Sequence, residues 1–155
     1  MARRNRGNEG KVYWGAIILE WFEHLQDNDL TSADYKVLFF LCQKMNISEN
    51  IAYVRQKQIA EELNMDKGNV SKCIKRLSEK QFIIKSDMGF MINPNLFYIG
   101  KSRNDRFRLR DNFDILLDEK DIEPRFYLNE DDYILEEYPN RGRVQENTWS
   151  NDSMF

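Results

Sequence analysis

Basic and amide side chains recur between Asp66 and Gln81, and their residue types suit binding to a polyanion. After Asp66 the first acid is Glu79. Lysine can donate hydrogen bonds to O6 and N7 of guanine, and asparagine can make a paired contact with adenine. On a helix these polar residues point away from an apolar stripe. That stripe consists of Val70, Cys73, Ile74 and Leu77.

The first turn of such a helix presents side chains to base edges in the major groove of DNA. We expect Asn69 and Lys72 to read bases, and Lys67, Lys75 and Arg76 to lie nearer to phosphates. The start of the preceding helix contributes backbone contacts, and a following hairpin reaches a flanking groove. The candidate DNA-binding residues are Gln56, Lys57, Lys67, Asn69, Ser71, Lys72, Lys75, Arg76, Lys85 and Ser86.

The competing interpretation is that these are ordinary surface lysines. If the DNA interpretation is correct, Lys72→Ala and Arg76→Ala weaken DNA binding and leave the fold intact. If six to ten phosphates are engaged, affinity falls by about 10³–10⁵ between about 50 and 200 mM salt. Binding that does not respond to salt would contradict it.

The sequence lacks the residue patterns that catalysis, a phosphate-binding loop or a calcium site would require. His24 is the one histidine, and no serine or cysteine has a histidine and an acid at a recognisable spacing. The seven glycines are scattered, so there is no glycine-rich phosphate loop. The carboxylates beyond residue 110 have no glycine-centred calcium loop among them. We therefore expect no enzyme, no cofactor and no metal site.

The basic helix needs elements that position it, and its neighbours supply them. Gln56 to Leu63 forms a short helix, Asn64 and Met65 form the turn, and Asp66 caps the second helix. Residues 82–85 and 90–92 read as two strands around a tight turn at 86–89, which makes a hairpin called a wing. Strand 51–54 completes a three-stranded sheet. The predicted fold is α+β, a winged helix-turn-helix with a three-helix core.

Helical periodicity also predicts an N-terminal helix over residues 12–25, although the run before Ile17 could instead form a strand. A further helix begins behind the cap Thr31, and its apolar face includes Val37, Leu38 and Leu41, widened by Phe39 and Phe40. At the C-terminal end of the basic helix, Gln81 stands where glycine is usual; a left-handed backbone there costs about 1 kcal/mol.

Beyond the hairpin, Asn93-Pro94 ends the second strand, and residues 95–99 are expected to form a helical turn. The basic stretch 101–110 and the arginines at positions 3, 4 and 6 are secondary candidates for DNA contacts. The apolar run 113–117 is expected to dock back on the domain.

Charge divides the chain into three parts. The net charge of −3 combines +6 over residues 1–110 with −9 over residues 111–155. We expect a flexible basic arm over residues 1–10, a DNA-binding domain over 11–118 and an acidic, partly disordered tail over 119–155. The two cysteines, Cys42 and Cys73, are expected to be buried free thiols, and no apolar run is long enough to span a bilayer. These features favour a cytoplasmic protein without membrane contact.

The helix-turn-helix IAEELNMDKGNVSKCIKRLSEKQFIIK and the following GFMINPNLFYIGK resemble the RepL family of plasmid replication proteins of Gram-positive bacteria. TSADYKVLFFL supports the resemblance. The resemblance covers roughly residues 17–118. It implies a winged-helix initiator that binds double-stranded DNA at its own plasmid origin and recruits host replication proteins.

Two alternatives stay open at this point. A winged-helix transcriptional regulator shares the fold but acts at an operator, and it could pair as a homodimer through the N-terminal helix. A protein-binding winged helix would use the acidic, aromatic tail. That tail could dock on a partner or restrain the basic helix electrostatically, and deletion of residues 120–155 is expected to distinguish these roles.

Overall fold

A small antiparallel sheet separates one C-terminal helix from the other helices in the computed structural model, which describes residues 14–99, 102–132 and 134–138. The helices are α1 (Trp21–Leu25), α2 (Ser32–Lys44), α3 (Gln56–Leu63), α4 (Lys67–Glu79) and α5 (Arg103–Glu119). The strands are β1 (Ala16–Ile17), β2 (Ile51–Ala52), β3 (Ile83–Lys85), β4 (Phe90–Ile92), β5 (Phe97–Tyr98), β6 (Phe126–Asn129) and β7 (Ile134–Glu137). This mixture of helices and small antiparallel sheets confirms an α+β fold.

The central sheet has the order β2–β4–β3 and separates two apolar cores. Successive side chains of a strand point to opposite faces, so neighbouring residues enter different cores. Ile83 and Ile92 pack into the larger core with α2, α3 and α4. Ile84 and Met91 pack on the other face against α5. Helices α4 and α5 therefore lie on opposite faces of the sheet.

The apolar run 113–117 packs on the domain as part of helix α5, which confirms the expectation. Leu109, Phe113 and Leu117 recur every four residues and are buried against the sheet. The basic stretch that precedes this run belongs to the same helix, whose N-terminus is capped by Ser102.

The N-terminal segment begins with a short strand and not with the expected helix. Ala16 and Ile17 pair with Tyr98 and Phe97, and the helix begins only at Trp21. Residues 95–99 likewise differ from the expected helical turn. A turn forms at Asn93, whose carbonyl oxygen accepts from the amides of Leu96 and Phe97, and strand β5 follows it. The two short strands satisfy each other's backbone groups, which neither could do alone.

Residues 119–138, assigned from sequence to an acidic tail, differ from that expectation because part of them enters the larger core. Strands β6 and β7 form an antiparallel hairpin, and Phe126 and Leu128 on its inner face are buried. The Phe126 ring stacks on Phe82, with the ring centroids 6.2 Å apart. The expected boundary at residue 118 falls inside α5. The remainder of the tail and the basic arm lie outside the described residues.

Gln81 links this hairpin to the end of α4. It adopts the left-handed conformation expected of that position, with φ of 60°. Its side chain is buried, donates to the Glu123 carbonyl oxygen at 2.6 Å and accepts from the Arg125 amide at 2.7 Å. A glycine would suit the backbone better but would leave both groups without this partner.

Candidate nucleic-acid interface

Local sequence explains how α4 forms and how it is oriented. The Asp66 side chain accepts from the Gly68 amide at 3.0 Å and so caps the helix, as predicted. Asn64, with φ of 53°, ends α3 in the left-handed region and allows the tight turn between the two helices. The four residues of the predicted apolar stripe are buried. The opposite side of α4 is consequently directed to solvent.

The structure places the candidate DNA-binding residues of α4 as follows. Lys67, Asn69, Ser71, Lys72 and Lys75 are all exposed. Lys67, Asn69 and Ser71 belong to the first turns, where a recognition helix presents side chains to bases. Five of the six candidates on α4 thus share an accessible surface, and the sixth, Arg76, does not.

The candidates outside α4 lie on its two flanking elements. Gln56 is partly exposed and Lys57 is exposed, both in the first turn of α3. Lys85 is exposed at the end of β3. Ser86 is partly exposed in the hairpin turn, where its hydroxyl lies 3.2 Å from the Gly89 carbonyl oxygen.

Ion pairs divide the described cations into two groups. Lys44, Lys80 and Arg125 each lie within 4.0 Å of a carboxylate, as do the arginines of α5. Six described cations between residues 55 and 85 have no carboxylate within that distance. These six are Arg55, Lys57, Lys67, Lys72, Lys75 and Lys85. We call them, with Asn69 and Ser71, the basic surface.

Arg76 lies on α4 and binds a buried carboxylate, although its own side chain is 36% exposed. Its Nε donates to Oδ2 of Asp34 at 2.7 Å, and the Asp34 side chain is fully buried. The same Asp34 oxygen accepts from the Thr31 amide at 2.9 Å, while Thr31 caps α2. Arg76 therefore ties α4 to the first turn of α2. This differs from the phosphate contact expected of it.

The environment of Asp34 keeps its carboxyl group ionised. Burial raises the pKa of Asp34, but the hydrogen bonds from Arg76 and Thr31 oppose burial and hold the pKa below its ordinary value. Its second oxygen, Oδ1, is buried without a hydrogen-bond partner among the described residues. The carboxylate thus depends on Arg76 for its compensating charge.

Within the basic stretch 101–110, the described arginines all form ion pairs inside the fold. Arg106 and Arg110 both bind Glu130 at the end of β6, with closest distances of 2.8 and 2.6 Å. Arg103 pairs with Asp131 at 3.3 Å. Glu130 and Asp131 therefore lie over these arginines, whereas Glu137 of the same hairpin lines a cleft with Arg76 and Glu79 at the end of α4. The arginines at positions 3, 4 and 6 lie outside the described residues.

Arg55 is a candidate that the sequence interpretation missed. It is the exposed N-cap residue of α3 and lines a shallow depression with Lys57, Gln58 and Met88. Its position directly before the first helix of the pair was the available signal, since a helix N-terminus and an adjacent cation both favour phosphate.

The histidine and the two cysteines, which could in principle be reactive, pack against other side chains. The ring of His24 meets the Phe126 ring edge-on, with centroids 4.9 Å apart. Cys73 is buried and Cys42 partly so, and burial raises the pKa of both thiols. No group of three potential metal ligands occurs in the described segments. Within the same segments, no helix is both long enough and apolar enough to cross a membrane.

Comparison with known proteins defines the class to which this α+β chain belongs. A family described as Firmicute plasmid replication protein (RepL) matches residues 6–145. The match covers most of the chain, so the chain belongs to the RepL family, and the resemblance inferred from its motifs is confirmed. No curated protein and no solved structure matches it.

Proposed function

We propose that this protein is a replication initiator that binds double-stranded DNA sequence-specifically at its plasmid origin. Helices α2, α3 and α4, the hairpin β3–β4 and the third strand β2 would constitute a winged helix-turn-helix, with α4 entering the major groove. The protein would act by binding and not by catalysis. Membership of a plasmid replication family supports the initiator role over that of a transcriptional regulator.

The observation that carries this proposal is the concentration of unpaired cations on the basic surface. Unpaired, exposed lysines and arginines can neutralise phosphates without first breaking an internal ion pair. Asn69 and Lys72 add the two side-chain types that pair with adenine and guanine edges. Lys67, Lys75, Arg55 and Lys57 would contact phosphates, and Lys85 would reach a flanking groove.

The first test is footprinting and gel-shift binding on the DNA that flanks the gene. Lys72→Ala is expected to weaken binding about tenfold or more, because a good base contact contributes about 1–3 kcal/mol. Affinity should also fall about 10³-fold or more between about 50 and 200 mM salt if six phosphates are neutralised.

Lys120→Ala is the matched control, since Lys120 is an exposed lysine without an ion pair outside the basic surface. It should leave binding within about twofold of the wild type. The same fragment should replicate when the protein is supplied. A footprint confined to a promoter, on DNA that does not replicate, would contradict the initiator role.

A further inference from the structure

Helix α5 and the tip of the β3–β4 hairpin border a groove on the face of the sheet opposite α4. The groove has a volume of about 340 Å³. Ile51, Met91 and Leu116 line it as buried or half-buried side chains. Tyr53, Met88 and Ile115 also line it, and they are 44%, 61% and 56% exposed. Three large apolar side chains therefore meet solvent at one place on the surface.

The charged residues that line this groove are all acids. They are Glu49, Asp87 and Glu119, and neither lysine nor arginine lines the groove. On the other side of Ile115 a second groove contains Asp114, Asp118 and Asp121, again without a cation. The surface thus combines exposed apolar groups with an excess of negative charge.

The local pKa behaviour agrees with this excess of acids. Burial, and then repulsion from Asp111, raises the pKa of Asp114 above its ordinary value. No described lysine or arginine lies within 4.0 Å of Asp114, Asp118 or Glu119. A cation supplied from outside the chain would lower the energy of these carboxylates.

The position of the groove separates it from most of the basic surface. Helix α5 covers the sheet face that carries Ile84 and Met91, whereas α4 packs on the core that contains Ile83 and Ile92. Ser86 borders the groove and is the residue that the groove shares with the DNA-binding candidates. A partner bound in the groove would leave α4 accessible.

We propose that this groove binds a basic amphipathic helix of a partner protein. An apolar face on such a helix would contact Tyr53, Met88 and Ile115, and flanking lysines or arginines would face Glu119, Asp87 and Asp114. Recognition of an amphipathic helix by an apolar groove is a common binding mode, and the acidic rim selects a basic ligand.

A second copy of this chain fits the groove less well. Among its described residues the unpaired cations lie mainly on the basic surface, and between residues 55 and 85 no large apolar side chain is exposed. The basic surface therefore lacks the apolar ridge that the groove requires. The proposed site adds a protein partner to the proposed DNA binding and does not depend on it.

The test uses a labelled 18-residue helical peptide whose leucines fall on one face and whose lysines flank them, measured by fluorescence anisotropy on the full chain. We expect saturable binding that weakens about tenfold or more in Ile115→Ser and in Glu119→Lys. A peptide of the same composition with its leucines distributed around the helix should bind at least about tenfold more weakly.

The control variant is Phe39→Ser, which removes a side chain of similar exposure, 58%, from helix α2. It should leave peptide affinity unchanged. Gel-shift binding of DNA by Ile115→Ser should match the wild type, so the groove and the DNA-binding surface are tested independently.

Three results would overturn the proposal. The first is equal binding of both peptides, and the second is peptide binding that Ile115→Ser and Glu119→Lys leave intact. The third is a dimer in sedimentation that Ile115→Ser dissociates, because the groove would then be occupied by a second copy.

Discussion

Arg76 has a structural partner even though it lies on the helix that we propose enters DNA. Its bond to Asp34 joins α4 to α2, and the carboxylate that it balances is fully buried. Removing one member of such a pair leaves a charge in the interior that nothing compensates. The side chain of Arg76 is itself 36% exposed, so water can replace part of what is lost.

We predict that Arg76→Ala lowers the free energy of unfolding by about 2–3 kcal/mol. Urea unfolding followed by circular dichroism measures this change. Lys72→Ala, on the exposed side of the same helix, should change stability by no more than about 0.5 kcal/mol. If Arg76→Ala were as stable as the wild type but bound DNA weakly, Arg76 would be a phosphate contact after all.

The same pair makes stability depend on pH in a definite direction. Because the pKa of Asp34 is lowered in the folded protein, its contribution is present above the ordinary carboxyl pKa of about 4. That contribution is lost as the pH falls through the lowered value. In Asp34→Asn this component of the acid dependence should disappear, which unfolding curves between about pH 2 and 6 would show.

At the scale of elements, Gln81 is the main link between α4 and the C-terminal hairpin. Gln81 adopts a backbone conformation that suits glycine, but its side chain bonds the chain on both sides of Pro124. Arg125 adds a bond from its guanidinium to the Lys80 carbonyl oxygen at 3.0 Å. The end of α4 and the start of β6 are therefore held together by side chain to backbone contacts.

We predict that Gln81→Gly is less stable than the wild type by about 1 kcal/mol. The gain of about 1 kcal/mol from the relaxed backbone does not offset two lost buried hydrogen bonds, each contributing about 1 kcal/mol. Gln81→Ala loses the bonds without the backbone gain, so it should fall about 1 kcal/mol further. Hydrogen exchange at the Arg125 amide should accelerate in both variants. A glycine variant more stable than the wild type would contradict the role assigned to these bonds.

Sequence reasoning located the elements whose determinants are local. Apolar residues at helical spacing, the Thr31 and Asp66 caps and the turn before Gly89 identify α2, α3, α4 and the β3–β4 hairpin. The same periodicity overextended α1, because the pairing of Ala16 with Tyr98 joins residues far apart in the chain. Phe39 was expected to widen the apolar face of α2, but it is exposed because the neighbouring elements pack on the other side.

The contacts that sequence reasoning missed are long-range. Arg76 looked like any other cation of α4 because Asp34, which holds it, is 42 residues away. Phe126 lies among acids, and its apolar contacts with Phe82 appear only after the chain has folded back. Acidic composition suggested a solvated tail, yet two apolar residues at strand spacing were enough to anchor a hairpin.

At the scale of the whole molecule, folding brings acids of the C-terminal part of the chain next to basic residues that precede them. Part of the negative charge of residues 111–155 neutralises the arginines of α5 through Glu130 and Asp131. Of the unpaired acids on α5, Glu119 lines the proposed peptide groove, and Asp114 and Asp118 line the neighbouring groove. Among the described residues, most unpaired cations lie on the basic surface.

This arrangement changes what deletion of residues 120–155 can test. The deletion removes Phe126 from the larger core and the buried Leu128 of the same strand, together with the acidic partners of three arginines. We predict that the shortened chain loses at least about 3 kcal/mol of stability, the usual cost of removing one large buried aromatic side chain. Thermal unfolding would show this as a lower midpoint or a lost cooperative transition.

Phe126→Ala is the matched single variant and should account for most of the loss. Tyr127→Ala, at an exposed position of the same strand, should have little effect. An unchanged midpoint in the shortened chain would show that the hairpin is dispensable for folding, and the deletion would then report only on partner binding.

The two ends of the described chain meet in the larger core, and this contact has a consequence for how the protein folds during its synthesis. Trp21, Phe82 and Phe126 complete one aromatic contact from three distant parts of the sequence. The chain must therefore leave the ribosome as far as Phe126 before this core can close, since a domain folds as a unit. Prematurely terminated products would lack Phe126 and remain open to proteases. Such fragments are not expected to persist and compete with the finished protein for the DNA that we propose it binds.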